Sequence, residues 1–427
     1  MANKSYLIVG AALLAAAMWI WVQDIAIPRQ QAESAVRGVP RGNLSDLYPR
    51  WLGARELLRR RRDPYGVDIT REIQIGYYGR PIDAARPDDP KDQQAFAYPL
   101  YVVFLLAPTV ELPFRLVQRG FFWLLVVGTA LSVVWWLRAL GWRVSRTAML
   151  AWIVLTLGCF PAIQGFKLQQ LTLLVAALMA AAMSAVAGGY LLLAGVLLAV
   201  ASIKPQLVAL AMVVLGLWSL GDWRKRQRLV WGFVAAMFVL IAASEWLLPG
   251  WIAEFRRASA EYWRYTGGGR SVMDVELGSV AGRIVSALLV LVLIYWAWRL
   301  RRSEARSAEF AWLLALVMAT TLAVIPMFAP YNQVLLVPAL MVMARAAKRL
   351  REAGRSSRLL LAATALAVAW PWLAAAGLAG ALLFVPAAEV QRAWIAPLAT
   401  NFAIPTVTLG LLLVSGTVMR GAVISQA

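Results

Sequence analysis

Apolar blocks alternate with short, arginine-rich polar stretches along almost the whole chain. Most blocks run about 15–22 residues, the length a helix needs to cross about 30 Å of hydrocarbon. The pattern predicts an all-α, polytopic membrane protein. The first block, Tyr6 to Val22, has no convincing cleavage region after it and reads as a retained span, with Lys4 holding the N-terminus in the cytoplasm. A long polar stretch follows, from Gln23 to Tyr98, headed by Asn43-Leu44-Ser45-Asp46-Leu47-Tyr48 and closed by Phe96-Ala97-Tyr98-Pro99. Loops this long tend to carry function.

Orientation follows from three basic loops, Trp223 to Arg228, Arg299 to Arg302 and Arg345 to Arg358, which the positive-inside rule places in the cytoplasm. Spans then fall near 229–248, 278–298, 308–327, 332–345, 358–384 and 397–418. The stretch from Tyr190 to Leu220 is too long for one ordinary crossing, and Lys204-Pro205 interrupts it, so two short spans meeting near the outer surface fit better. Gln164 to Gln170 becomes an outer loop. Parity leaves a single crossing between the long early loop and Arg138, which makes residues 98–112 a re-entrant or interfacial helix between Pro99, Pro108 and Pro113. The total is about twelve spans. Counting 98–112 as a span and 190–220 as one kinked helix gives the same orientation at both ends. The chain thus reads as one integral membrane domain, 1–427: a first span at 5–23, an extracytoplasmic loop at 24–116, and the remaining spans at 117–418.

Within the early loop, Leu47, Trp51, Ala54, Leu57 and Leu58 recur at helical spacing beside Arg50, Arg55, Arg59 and Arg60. This predicts an amphipathic helix on the membrane surface, with the run Arg59–Arg62 as a headgroup-binding face. Asp63-Pro64-Tyr65-Gly66 ends it, and Arg80 to Gln94 has the composition of a flexible, solvated segment.

Composition sharpens the class. The chain is 61% hydrophobic with a mean hydropathy of +0.67 and only 15% charged residues, where a soluble domain carries about a quarter. Its net charge of +20 fits positive-inside loops and anionic membrane lipids as partners; with no basic soluble domain, a nucleic acid is not one. There is no histidine, and the one cysteine, Cys159, lies in an apolar block, so neither a structural zinc site nor an internal disulfide is available. No cofactor is called for.

Few polar residues face the outer side. Asp46 can serve as a general base, or as the N-cap of the helix that begins near Tyr48. In Gln164–Gln170 the glutamines can bond sugar hydroxyls and Lys167 can meet a phosphate, or the stretch is a polar turn. It holds no carboxylate pair for a divalent cation. Lys204, inside an apolar run, either binds an anion or snorkels to the interface. The loop 249–277 interleaves Arg256, Arg257, Arg264 and Arg270 with Trp251, Tyr262, Trp263 and Tyr265, which suits a lipid-phosphate headgroup or an interfacial anchor. Tyr331, Asn332 and Gln333 stand at a span entrance, where capping is the plainer role.

The order of these features resembles glycosyltransferase family 87 of the GT-C superfamily over about residues 5–345. The best matches are Phe96-Ala97-Tyr98-Pro99 and Ala194-Gly195 leading to Lys204-Pro205. Weaker ones are Asp46-Leu47-Tyr48, the Asp63 to Gly66 turn, Gly165 to Gln170 and Ala329 to Gln333. The chain departs from the family pattern with Leu100 after Pro99, with Phe166-Lys167 after Gly165, and with no histidine in the late motif. The resemblance implies a GT-C fold at a bacterial inner membrane and transfer of a mannosyl- or arabinofuranosyl-type sugar. The donor would be a polyprenyl-phosphate sugar, and the acceptor a glycolipid or glycan on the extracytoplasmic face. It implies Asp46 as the base and inversion at the anomeric carbon. Lys204, Arg270 and Lys167 would lie around the donor phosphate. Tyr98, Gln164, Gln169, Gln170, Tyr331, Asn332 and Gln333 would lie around the sugar and acceptor, with no metal. The alternatives are a transporter or flippase of lipid-linked substrates, an envelope-glycan polymerase or ligase, and a scaffold with a degenerate site. A transporter often shows matching broken helices in its two halves; the breaks here, Lys204-Pro205 and Trp370-Pro371-Trp372, stand in unlike contexts.

Overall fold

A computed structural model describes residues 5–36, 45–83 and 85–421. Asn43 and Leu44, at the head of the early loop, and Lys4 lie outside them. The described residues are helical, with no strand among them. Six segments are long and apolar enough to cross a membrane: Tyr6–Val36, Phe114–Ala139, Trp223–Leu247, Ser279–Arg299, Arg355–Ala381 and Ala387–Val414. Arg146–Leu157 and Phe160–Lys167 form a further pair bent by 55°, and Leu171–Ala187, Leu191–Ala201, Pro205–Gly221 and Ala308–Val324 are shorter apolar helices. This is a polytopic membrane protein.

Burial sorts the helices into inner and outer. In Leu171–Ala187 and Ala308–Val324 nearly every side chain is buried, whereas Trp223–Leu247 exposes Val234, Phe238 and Val239, and Ser279–Arg299 exposes Ile284, Leu288 and Leu291. Large apolar side chains left outside a folded chain are the mark of a lipid-facing surface. Small residues allow the closest crossings. A side chain at Gly195 would strike the backbone of Leu229 and Phe233, and one at Gly232 the backbone of Leu192. Helices Leu191–Ala201 and Trp223–Leu247 therefore meet backbone to backbone, as small residues permit inside bilayers. Gly195 in the Ala-Gly…Lys-Pro stretch is thus a packing residue.

The early region folds onto the bundle. Helix Tyr48–Arg60 buries Trp51, Ala54 and Leu57, together with its N-cap residue Leu47, in the same core as Phe96, Leu100 and Leu106. Full burial of side chains of this kind is worth about 1.5–3 kcal/mol each. The apolar stripe is as expected, but protein covers it and not lipid. The basic run stays at the surface but meets protein acids: Arg59 pairs with Glu111, Arg60 with Glu56, and Arg62 with Glu56, Asp68 and Glu72. Glu56 shares a helix with Arg59 and Arg60, but Asp68 and Glu72 lie on the next one and Glu111 far along the chain, so most of this pairing could not be read. Residues 98–112 hold only the short helix Val102–Leu106 and a 3-10 turn at Ala107–Thr109, too short to cross.

Three expectations change. Residues 164–167 are not loop: helix Phe160–Lys167 runs through them, and only 168–170 turn before Leu171–Ala187 begins. Pro371 does not break its helix, because Arg355–Ala381 continues through it. The carbonyl that proline leaves free four residues earlier, on Ala367, accepts from Thr400 Oγ1 at 2.8 Å. The stretch 80–94 is irregular but tied down. Arg80 grips Asp89, Tyr78 OH donates to the Asp92 carbonyl (2.8 Å), and Tyr262 and Tyr265 of helix Trp251–Tyr265 donate to Asp92 Oδ1 (3.1 Å) and the Pro90 carbonyl (3.0 Å). Its composition is that of a flexible linker, but distant tyrosines hold it in place.

Candidate active site

Six stretches of the sequence converge on one open cleft of about 640 Å³. They are the start of helix Tyr48–Arg60, the strap 91–99, the turn at Gln170, the break at Ile203–Gln206, and the facing segments 255–270 and 325–332. Each is placed by a local device. Lys204 sits where Leu191–Ala201 ends and Pro205 opens the next helix, a first-turn position where proline's missing N–H costs nothing. Tyr101 OH secures that break by donating to the Ser202 carbonyl at 2.9 Å. Arg270 follows Gly267 and Gly268, both with left-handed φ (77° and 73°), and its carbonyl accepts from Phe328 N–H at 3.3 Å.

The carboxylate of Asp46 is the hub. Its helix is capped by Leu47 without any side-chain bond, so the carboxylate does no capping. It accepts instead from Gln170 Nε2, and from Tyr77 OH at 3.3 Å. Burial pushes this carboxyl above the usual carboxylate range, against the pull of Arg50. The Tyr77 hydroxyl is pushed up as well, by burial and by the neighbouring Asp46 charge, so it stays a donor. Lys204 Nζ donates to Gln170 Oε1 and to Thr172 Oγ1, both at 2.8 Å, and Thr172 donates to Asn332 Oδ1 at 3.1 Å. The ammonium lies 5.7 Å from the Tyr98 ring centre and 5.4 Å from that of Tyr331, an aromatic cage for a cation.

Of the residues singled out in the sequence, Asp46, Tyr98, Gln170, Lys204, Arg270, Tyr331 and Asn332 line this cleft. Four do not. Lys167 bonds Gln23 and faces the Trp19 ring at 5.0 Å. Gln169 accepts from Gln118 Nε2 at 3.1 Å, with Gln164 nearby on its helix. Gln333 donates to Asn401 and lines a separate, apolar cavity with Trp372 and Pro371.

The sequence put Arg50 among the arginines near Asp46 without giving it a role, and Asp92 and Tyr77 were missed. Arg50 stands one helical turn after Asp46, a spacing that does bring side chains together. Its Nη1 donates to the Asp46 carbonyl at 2.6 Å, its guanidinium lies 4.4 Å from the Tyr98 ring centre, and its buried Nε has no partner. Nothing in the sequence near Asp92 or Tyr77 marks them, since their partners come from other elements. Among the described residues, no group of three or more acidic, histidine or cysteine side chains is close enough to hold a metal ion.

The cleft offers a half-buried carboxylate beside the half-buried Arg50 and the buried Lys204, lined with amides and phenol rings. Such a set can take a proton at one point and hold an anion at another. Comparison with known proteins bears on the chemistry. The chain matches the model of Glycosyltransferase family 87 over residues 96–330, which takes in Tyr98, Gln170, Lys204 and Arg270 and leaves Asp46 upstream. No curated protein matches it. Because the match covers more than half of the chain, the protein belongs to glycosyltransferase family 87, a GT-C-type family of membrane glycosyltransferases.

Proposed function

We propose that this glycosyltransferase moves a monosaccharide from a polyprenyl-phosphate sugar to a glycolipid or glycan acceptor on the extracytoplasmic face of a bacterial inner membrane. The observation that carries the reading is that one cleft holds Asp46 together with Lys204 and Arg270. Asp46 takes the proton of the acceptor hydroxyl. The oxygen attacks the anomeric carbon, the bond from that carbon to the phosphate oxygen breaks with inversion, and the electron pair leaves with the lipid phosphate. Lys204, Arg270 and Arg50 stabilise the charge that builds there, usually the largest single contribution to such a step. Tyr98, Gln170, Tyr331 and Asn332 border the sugar and acceptor. Lipid extracted from the purified protein and weighed by mass spectrometry should contain a polyprenyl-phosphate sugar; a nucleotide sugar as the only donor turned over would sink the reading.

In this topology, residues 24–116 lie outside and the chain crosses about twelve times, with the bent pair, the shorter apolar helices and Val337–Glu352 included. Asp83 is exposed. In a Cys159→Ala background, cysteine at Asp83 should react with an impermeant thiol reagent in intact spheroplasts. Labelling only after lysis would place the cleft in the cytoplasm.

The mechanism uses side chains alone. Transfer is expected to survive EDTA. Loss of activity that magnesium or manganese restores would put an ion between the two carboxylates on the cleft, Asp46 and Asp92.

A further inference from the structure

Asp46 and Lys204 share the cleft, and Gln170 stands between them. Chemistry fixes the bonding directions, because an ammonium only donates and a carboxylate only accepts. Lys204 Nζ donates to Gln170 Oε1 at 2.8 Å, and Gln170 Nε2 donates to Asp46 Oδ2. An amide offers an acceptor at one end and a donor at the other, so it bridges a cation and an anion without carrying charge. The backbone holds this bridge in place. Asp46 N–H donates to the Leu168 carbonyl at 3.0 Å, and Gln170 N–H to that of Gly165 at 2.9 Å. Gln169 adopts a left-handed φ of 45°, and its side chain goes to Phe166 and Gln118 while that of Gln170 goes to the cleft.

We propose that Gln170 is a positioning residue that keeps the base and the phosphate-binding cation apart while aligning both. The inference rests on the reading of Asp46 as base and Lys204 as phosphate contact. A direct Lys204–Asp46 ion pair would hold the carboxyl low and make it a poorer base. It would also occupy ammonium protons that the departing phosphate needs. With a neutral amide between them, Lys204 keeps its charge for the anion. Asp46 keeps Oδ1, whose partner is the Tyr77 hydroxyl, for the acceptor proton.

Two substitutions should move the pH profile in opposite directions. Gln170→Ala removes the bridge together with the side chain that fills the gap, and lets Lys204 close on Asp46. The acid limb of kcat/KM then falls by about one pH unit, as for a carboxyl gaining a cationic neighbour. Gln170→Glu sets a second carboxylate against Asp46. The limb then rises by about one unit, which is about a tenfold loss of rate on its acid side. The full-length protein in detergent is assayed for release of polyprenyl phosphate from synthetic polyprenyl-phosphate mannose and arabinofuranose, with a membrane glycolipid extract as acceptor. Opposite displacements support the spacer role. A limb that stays in place in either variant, or moves the same way in both, overturns it whatever happens to kcat. Gln170→Asn, too short to span the gap, should follow the alanine variant and replaces it if that one fails to fold. Asp46→Asn in the same assay keeps the two readings distinct. Near wild-type transfer there removes the base and the spacer with it; loss of transfer there with an unmoved limb in the Gln170 variants removes the spacer alone.

Discussion

Asp46→Asn should lower sugar transfer by about a hundred- to ten-thousand-fold, the usual cost of losing a general base, while the protein stays folded and binds donor. The local structure makes this a clean substitution. Asparagine is nearly isosteric, its oxygen can still accept from Gln170 Nε2, and its amide can donate to the Tyr77 hydroxyl in place of accepting from it. No capping bond is lost, because the Asp46 side chain makes none. An amide, however, has no useful basicity near neutral pH. Asp46→Glu keeps a carboxylate displaced by one methylene and should retain partial activity. In the wild type, burial raises the Asp46 carboxyl above the usual carboxylate range, so the rate should climb with pH through that raised value as the carboxylate forms. An asparagine variant that turns over donor at near wild-type rate would move the base to Asp92, the other carboxylate on the cleft. Asp63, Glu254 and Asp274 are poorer substitutes. None lines the cleft; Asp63 accepts from Tyr65 N–H, Glu254 pairs with Arg257, and Asp274 closes a capping box with Ser271.

Lys204→Met should cost about a hundred- to a thousand-fold in kcat, in line with removing one preorganised donor to a developing negative charge. A snorkelling lysine would tolerate the change, but Lys204 is only 6% exposed and is held by Gln170, Thr172 and two phenol rings. Methionine fills the same volume and leaves Gln170 Oε1 and Thr172 Oγ1 without their donor, a loss of about 1–3 kcal/mol of stability for each buried group left unpaired. Thermal unfolding should therefore show a less stable but folded protein, and donor should bind more weakly. Lys204→Arg should rescue only in part, because a planar fork cannot place one compact charge where the ammonium meets both acceptors. Equal transfer by the methionine variant would remove Lys204 from the site.

Membrane class, the approximate positions of the long apolar helices and the break at Lys204-Pro205 are all legible in one dimension. Hydropathy acts over a window of neighbours, and the proline and the buried charge each announce themselves locally. The amphipathic stripe from Leu47 to Leu57 was legible for the same reason. What covers it was not, since a stripe that packs on Phe96 and Leu106 has the same period as one that floats on lipid. The arginine run shows the same limit. The pairing of Arg62 with Asp68 and Glu72 depends on a turn at 61–66 that brings the next helix back.

The sequence by itself determined that the chain is a polytopic helical membrane protein, and it marked Asp46, Lys204 and Arg270 as polar residues that need a reason. Only the tertiary structure decided which of the marked residues meet. Gln170 reaches Asp46 across 124 positions and Thr172 reaches Asn332 across 160, while Lys167 and Gln333 turn to other partners. Helical period relates residues three or four apart, and bonds of that range arise only when packed helices bring their breaks and turns to one cleft.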